Sequence, residues 1–178
     1  MPGAARYHTA TVYRPSIAGQ LAALKWFRET VDPGWACGRI AHLAGRCREL
    51  LEGLENVHVV TPPQRQAGLV NFAALGWLPR RMVGLMQALV DRGYLVRAIF
   101  HEPYCLRVST GFYNTEQELI GLRDALGELL DAGPDAVEIP EFPPELPDEP
   151  LSGIRNRRSW LTRCRANCQF APHWTPRL

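Results

Sequence analysis

Residues 106–118 read LRVSTGFYNTEQE, and this stretch decides the fold. Leu106 and Val108 alternate with polar residues, which is typical of a strand with one buried face. Thr115 and Glu118 have the spacing of a capping box, in which each side chain satisfies a backbone N–H at the start of a helix. The stretch therefore predicts a strand that leads directly into a helix. The apolar stripe of that helix consists of Leu119, Leu122, Leu126 and Leu129.

Further strands and a helix are predicted upstream of this stretch. The strand candidates are residues 57–60, 69–75, 94–99 and 104–109. The last two are joined by a short connection, which favours antiparallel pairing. Pro79 can begin a helix between the strands, and Gly93 can end it. The predicted fold class is α+β, with a small antiparallel sheet within residues 66–131 and helices on one of its faces.

Two more helices are predicted before the sheet. The first has apolar residues at helical spacing between Ile17 and Val31. Asp32 and Pro33 then offer an N-cap and a first-turn proline for the second helix. The apolar face of the second helix consists of Ile40, Leu43, Cys47, Leu50 and Leu54.

The composition changes after Ala132. Residues 133–150 are rich in proline and acidic residues, which predicts an extended linker. Residues 151–178 are basic and show no helical or strand periodicity, so we expect a disordered tail whose role the sequence does not indicate. The predicted organisation is thus a domain over 1–132, a linker over 133–150 and a tail over 151–178.

The overall composition excludes several classes of partner. The net charge is +2, and the basic residues are scattered except for a cluster after Arg155, so no nucleic-acid partner is expected. No apolar run has the length of a membrane span, and the start has no signal-peptide core, so we expect a cytoplasmic protein without a membrane partner. The five cysteines are an odd number outside a secreted context and are interpreted as reduced thiols.

The quoted stretch resembles the closing segment of class V aminotransferases. These are pyridoxal-phosphate (PLP) enzymes that include cysteine desulfurases and isopenicillin-N-epimerase-like proteins. In that family a strand delivers an arginine, and a Phe-Tyr-Asn-Thr run then begins the last helix; here these are Arg107 and residues 112–115. Residues 68–72 and 93–98 match two other strands of the family. The resemblance covers residues 5–131 and implies the C-terminal small domain of such an enzyme.

The resemblance implies that Arg107 binds the α-carboxylate of an amino-acid substrate. A guanidinium group presents a planar fork that matches a carboxylate bidentately. Strand alternation places Arg107 on the face opposite Leu106 and Val108, where it can point away from the core. On spacing alone, a solvated arginine on a strand would be the better interpretation. The accompanying Phe-Tyr-Asn-Thr motif favours the substrate-binding role of Arg107 instead.

A second part of the resemblance lies at residues 6–11, Arg-Tyr-His-Thr-Ala-Thr. It implies that Thr11 binds the cofactor phosphate of a neighbouring subunit. Ala10 stands where the family usually has glycine, and its Cβ hinders a close approach to phosphate. The alternative is that Thr9 and Thr11 are ordinary β-branched residues of an extended segment.

The family's catalytic lysine has no counterpart in the matched region. PLP enzymes need a lysine amine to hold the cofactor and to move the substrate's α-proton. The one lysine, Lys25, is expected to be a solvated amine on a helix flank. We therefore expect an N-terminally truncated fragment that is inactive alone and does not bind PLP alone, with a large-domain chain or a homodimer partner. The alternative is a non-enzymatic interaction module that keeps the small-domain fold.

Cysteine chemistry and metal binding are not favoured by the spacing. Desulfurases carry a nucleophilic cysteine between the second and third strands of this domain, whereas residues 100–104 contain none. Cys105 lies in a predicted strand and is interpreted as structural, which favours an ancestral aminotransferase, epimerase or lyase. In the tail, Cys164, Cys168 and His173 are too irregularly spaced for a closed zinc site.

Overall fold

The computed structural model describes residues 13–101 and 103–141. The chain divides into two units, residues 1–39 and 40–178. Thr11, which is predicted to bind the cofactor phosphate, lies outside the described residues. So do the tail residues Cys164, Cys168 and His173. Within them, no helix is both long enough and apolar enough to cross a membrane.

The described part of the first unit is helical. Helix α1 (Arg14–Trp26) continues into a π-helical turn over Phe27–Val31, because the N–H of Asp32 donates to the carbonyl oxygen of Phe27 at 3.1 Å. No residue of α1 is buried. The predicted first helix is therefore confirmed, with a wider last turn than the sequence indicated.

Asp32 separates this turn from helix α2 (Pro33–Glu52). Its φ of 67° is a conformation that aspartate tolerates better than most residues. The Oδ1 atom of Asp32 accepts hydrogen bonds from the backbone N–H groups of Gly34, at 2.7 Å, and Trp35, at 3.3 Å. Asp32 thus caps α2, as predicted.

The second unit contains the sheet. Its strands, in chain order, are β1 (Val57–Val59), β2 (Leu69–Ala74), β3 (Arg97–Ile99) and β4 (Cys105–Ser109). They are arranged in the order β1-β2-β4-β3, and all pairs are antiparallel. The predicted α+β class is confirmed. The sheet also extends beyond residues 66–131, because β1 pairs with β2 at one edge.

Helices α3 (Pro79–Asp91) and α4 (Glu116–Ala132) complete the second unit. Val70, Phe72, Leu106 and Val108 share one face of the two central strands and are buried. They belong to a single core cluster whose helical members include Leu43, Leu85, Leu89 and Leu126. The alternation in β4 therefore buries one face against helices and leaves Arg107 on the other.

Strand β3 is shorter than its predicted range of 94–99. Gly93 adopts a φ of 89°, and the N–H of Tyr94 donates back to the carbonyl oxygen of Leu89 at 2.9 Å. This is the closing hydrogen bond of a helix C-terminus. The backbone of Tyr94 is therefore used to end α3 and does not join the sheet.

The capping box that was predicted from Thr115 and Glu118 is present. The backbone N–H of Thr115 donates to Glu118 Oε2 at 2.7 Å, and Glu118 N–H donates to Thr115 Oγ1 at 3.3 Å. Just upstream, Asn114 Oδ1 accepts from the N–H of Gly111 at 2.7 Å. A Cβ at Gly111 would lie 2.5 Å from the ring of Tyr113, so a larger residue here would displace that exposed ring. The motif thus fixes how β4 passes into α4.

The start of the proline-rich segment packs on the second unit. After Gly133 ends α4, a single 3₁₀ turn spans Pro134–Ala136, and Val137 is buried. Arg81 of α3 donates to the carbonyl oxygen of Val137 at 3.1 Å and to Asp135 Oδ1 at 2.8 Å. The predicted linker over 133–150 and its boundary after Ala132 remain predictions.

Candidate functional site

A row of polar side chains crosses the sheet on the face opposite the helical core. In the pairing of β2 with β4, Asn71 lies directly opposite Arg107. In the pairing of β4 with β3, Arg97 lies directly opposite Arg107. Residues opposite each other in antiparallel strands share a face, with Cβ atoms about 5 Å apart. We call Asn71, Arg107 and Arg97 the polar row.

Two atoms of this row are buried without a hydrogen-bond partner among the described residues. They are Nε of Arg107 and Oδ1 of Asn71. A buried polar group without a partner costs about 1–3 kcal/mol. The oxygen and nitrogen of an asparagine amide are assigned by their surroundings, so the Asn71 side chain can also present its NH2 group at this place. The pair can therefore offer several donors to one anionic ligand.

Arg107 is held on a well-anchored strand. Immediately after β4, the N–H and Oγ1 of Thr110 both donate to the carbonyl oxygen of Gly68, at 2.8 and 3.1 Å. A Cβ at Gly68 would lie 2.6 Å from Ile40 Cγ2, so only glycine allows α2 to approach so closely. β4 lies between β2 and β3, and this position leaves its backbone little freedom to shift.

Arg48 is the buried arginine that sequence reasoning missed. It lies on α2 and donates to Glu52 Oε1 at 2.9 Å, and also to Gln66 Oε1 and the carbonyl oxygen of Thr61. These contacts join α2 to the segment between β1 and β2. The donors of Arg48 are thus used within the fold, whereas Arg107 Nε has no such partner among the described residues. The contrast separates a structural arginine from a candidate for ligand binding.

The described residues of the second unit do not fit the requirements of PLP itself. Residues 13–101 and 103–141 contain one lysine, Lys25, which is exposed on α1 in the first unit. The polar row has no amine that could hold an aldehyde cofactor. It does have the donors that suit a carboxylate.

The described thiols are not arranged as nucleophiles or metal ligands. Burial raises the pKa of Cys47 to about 12, against a smaller opposing effect of the neighbouring Arg48. Cys105 is buried in β4, and Cys37 is exposed on α2. Among residues 13–101 and 103–141, no three His, Cys, Asp or Glu side chains form a group that could hold a metal ion. The structural interpretation of Cys105 agrees with its burial.

Comparison by sequence gives no match to a protein-family model and none to a curated protein. Comparison by structure does give matches. The cystine C-S lyase C-DES, solved with its reaction product cysteine persulfide, is 27% identical, with a TM-score of 0.61 over 70% of this chain and 32% of the lyase. A C-DES mutant was solved with glycine covalently linked to its PLP cofactor.

Two desulfurases share the fold at lower identity. The cysteine desulfurase from Thermococcus onnurineus NA1 is 24% identical, with a TM-score of 0.61 over 71% of this chain and 34% of its own. The cysteine desulfurase CsdA from Escherichia coli is 20% identical, with a TM-score of 0.60 over 71% and 33%. The chain therefore spans about a third of the length of these enzymes. The resemblance drawn from residues 106–118 is confirmed: the described chain has the fold of the C-terminal small domain of PLP-dependent, class V aminotransferase-like enzymes.

Proposed function

We propose that the second unit supplies the carboxylate-binding part of a PLP-dependent enzyme that acts on an amino acid. The observation that carries this proposal is the pairing of Arg107 with Asn71, each with a buried polar atom that lacks a partner among the described residues. A carboxylate bound between them would satisfy the Arg107 donor and an Asn71 amide donor together. Charge-assisted hydrogen bonds of this kind are roughly twice as strong as neutral ones.

The role of Arg107 in this proposal is orientation. A bidentate guanidinium–carboxylate pair fixes both the position and the rotation of the amino acid. Because Arg107 is on a central strand of the sheet, the fixed end of the substrate is held by a rigid element. PLP, when bound, supplies the electron sink for bond breaking at the α-carbon.

The lysine and the phosphate site belong, in this proposal, to a partner. That partner is a large-domain chain or a second copy of this protein, and Thr11 is the residue that we propose to reach a phosphate across the interface. The chain alone would neither bind PLP nor turn over a substrate. A cytoplasmic location is part of the same proposal, since the cofactor and free amino acids are available there.

The direct test is amino-acid binding by the full chain. We expect L-alanine to perturb the NMR signals of Arg107 and Asn71, and Arg107→Gln to weaken this binding at least about tenfold. Arg92→Gln is the matched control, because Arg92 has a carboxylate partner, Glu128, at 3.4 Å, and lies on α3's end rather than in the polar row. Unchanged affinity in Arg107→Gln would contradict the proposal.

One observation favours the alternative, a non-enzymatic interaction module. An apolar stripe consists of Tyr13, directly before helix α1, and Ile17, Leu21 and Leu24 on α1, and these side chains are between 49% and 72% exposed. Such a stripe is typical of a surface that another protein covers. Affinity purification of the full chain distinguishes the two functions. A lysine-bearing PLP domain among the bound proteins supports the enzyme, and stable partners without such a domain support the module.

A further inference from the structure

Arg97 and Arg107 form a like-charge pair on the sheet. They lie directly opposite each other on β3 and β4, and like charges in this relation destabilise strand pairing. Neither has a carboxylate within ion-pair distance in the described part of the chain. Most of the other described arginines do have such a carboxylate partner. Those with a carboxylate partner within 4 Å include Arg46, Arg48, Arg81, Arg92 and Arg123.

We propose that the ligand of the polar row is an α-amino acid whose side chain ends in a second acidic group. This inference rests on the proposed function, in which Arg107 binds the α-carboxylate. Arg97 then binds the side-chain acid. A ligand with two carboxylates places one negative charge beside each guanidinium group and offsets the repulsion between them.

The order of the three residues across the sheet assigns the orientation of the amino-acid ligand in the polar row. Asn71 and Arg107 lie on the central strands β2 and β4, and they already provide enough donors for one carboxylate. Arg97 lies on the outer strand β3 and is exposed. The guanidinium groups start from Cβ atoms about 5 Å apart, a spacing that suits two acidic groups joined by a short carbon chain. The α-carboxylate therefore lies at the inner end of the row and the side chain points toward the edge.

The test compares L-aspartate with L-asparagine, which has the same shape without the second charge. The full chain is titrated with each amino acid by NMR at low ionic strength. We expect aspartate to bind about threefold to tenfold more tightly, because Arg97 is exposed and its attraction is partly screened. Arg97→Gln should remove this preference, because it weakens the binding of aspartate more than that of asparagine. Added salt should reduce the preference in the unmodified chain.

The possible results separate this inference from the function on which it depends. Equal binding of aspartate and asparagine, with both weakened by Arg107→Gln, overturns only the inference of a second acidic group. Equal weakening of both ligands by Arg97→Gln also overturns it, since Arg97 would then bind the α-carboxylate. Absence of binding by either amino acid, or binding that Arg107→Gln does not change, overturns the proposed function as well. Circular dichroism of each variant confirms that the sheet has formed.

Discussion

Arg48 donates a hydrogen bond to the backbone carbonyl oxygen of Thr61, and through it α2 holds the segment that leads into β2. The same guanidinium group contacts Gln66 and Glu52, so three acceptors depend on one side chain. Because Asn71 N–H donates to Thr61 Oγ1 at 2.8 Å, this network ends at the polar row. The position of the candidate site thus depends on a residue that lies outside it.

Replacing Arg48 should therefore destabilise the fold. We expect Arg48→Ala to lower the free energy of unfolding by about 2–4 kcal/mol, since the half-buried acceptors of Thr61 and Gln66 lose a buried donor. The matched control is Arg46→Ala, on the same helix, whose ion pairs with Glu49 and Glu116 are more exposed. That variant should lose less than about 1 kcal/mol. Urea denaturation measures both, and equal losses would contradict the structural role of Arg48.

The capping box predicts a dependence of stability on acidic pH. The pKa of Glu118 is lowered, first by the hydrogen bond from the backbone of Thr115 and then by that from the side chain of Asn114. The stabilisation is therefore present above the carboxyl's unfolded pKa and is lost as the pH falls through the lower, folded value. Glu118→Gln should show a smaller loss of stability between neutral and acidic pH than the unmodified chain. Thermal unfolding at several pH values measures this difference.

Removal of the capping hydroxyl tests the same motif at neutral pH. Thr115→Ala should cost about 1 kcal/mol, because the N–H of Glu118 loses its acceptor. Thr115→Ser keeps the hydroxyl and is the control. A loss of equal size in both variants would mean that the methyl group of Thr115, and not its hydroxyl, stabilises the helix.

Cys47 should be chemically inert and sensitive only to strong alkali. Burial raises the pKa of its thiol from 9.0 to about 12, so the unfolded chain releases this proton first as the pH rises. Its contribution to stability is complete below pH 9.0 and is lost between pH 9.0 and about 12, by at most about 1.4 kcal/mol per pH unit. Cys47→Ala should flatten this alkaline loss.

Thiol labelling at neutral pH gives a second measurement on the same residue. Mass spectrometry after iodoacetamide treatment should find Cys37 modified, because it is exposed, and Cys47 and Cys105 unmodified in the folded chain. The same treatment in urea should modify all three. Labelling of Cys47 in the folded chain as fast as Cys37 would contradict the burial.

Lys25 should not act as a cofactor lysine. It is exposed on α1, and no described residue of the polar row lies in the same unit. We expect PLP followed by borohydride to leave Lys25 without stoichiometric labelling in the full chain, as judged by mass spectrometry. Stoichiometric labelling that a competing amino acid abolishes, together with loss of activity in Lys25→Ala, would show that this chain has a complete site.

The sequence predicts those features that depend on neighbours along the chain. Thr115 and Glu118 are three residues apart, and Asp32 caps the residues directly after it, so their spacing was sufficient. The alternation of Leu106 and Val108 placed Arg107 on the outer face correctly. Its proposed ligand contacts, and the contribution of Thr11, remain predictions.

The features that the sequence did not predict join residues far apart along the chain. The pairing of Asn71 with Arg107 follows from the strand order, in which β4 lies between β2 and β3. The contacts of Arg48 with Thr61 and Gln66 depend on how α2 packs. By composition, Val137 looked like part of a linker, yet it is buried. Arg81 of α3 donates to its carbonyl oxygen, and Gly84 of α3 has no side chain that would clash with residues 137 and 138.

The strand order also predicts that the two ends of the polar row differ in how readily their backbone hydrogen bonds open. Asn71 and Arg107 are on strands that are hydrogen-bonded on both sides, and such strands open only in near-global unfolding, so their amides should exchange slowest with solvent. Arg97 is on a strand of three residues that is paired, among the described strands, on one side only. We therefore expect the end of the row with Asn71 and Arg107 to be preorganised before any ligand arrives, and the Arg97 end to fluctuate. Binding would therefore cost little conformational entropy of the protein where the α-carboxylate binds. It would cost more at the side-chain end, where amino acids differ from one another.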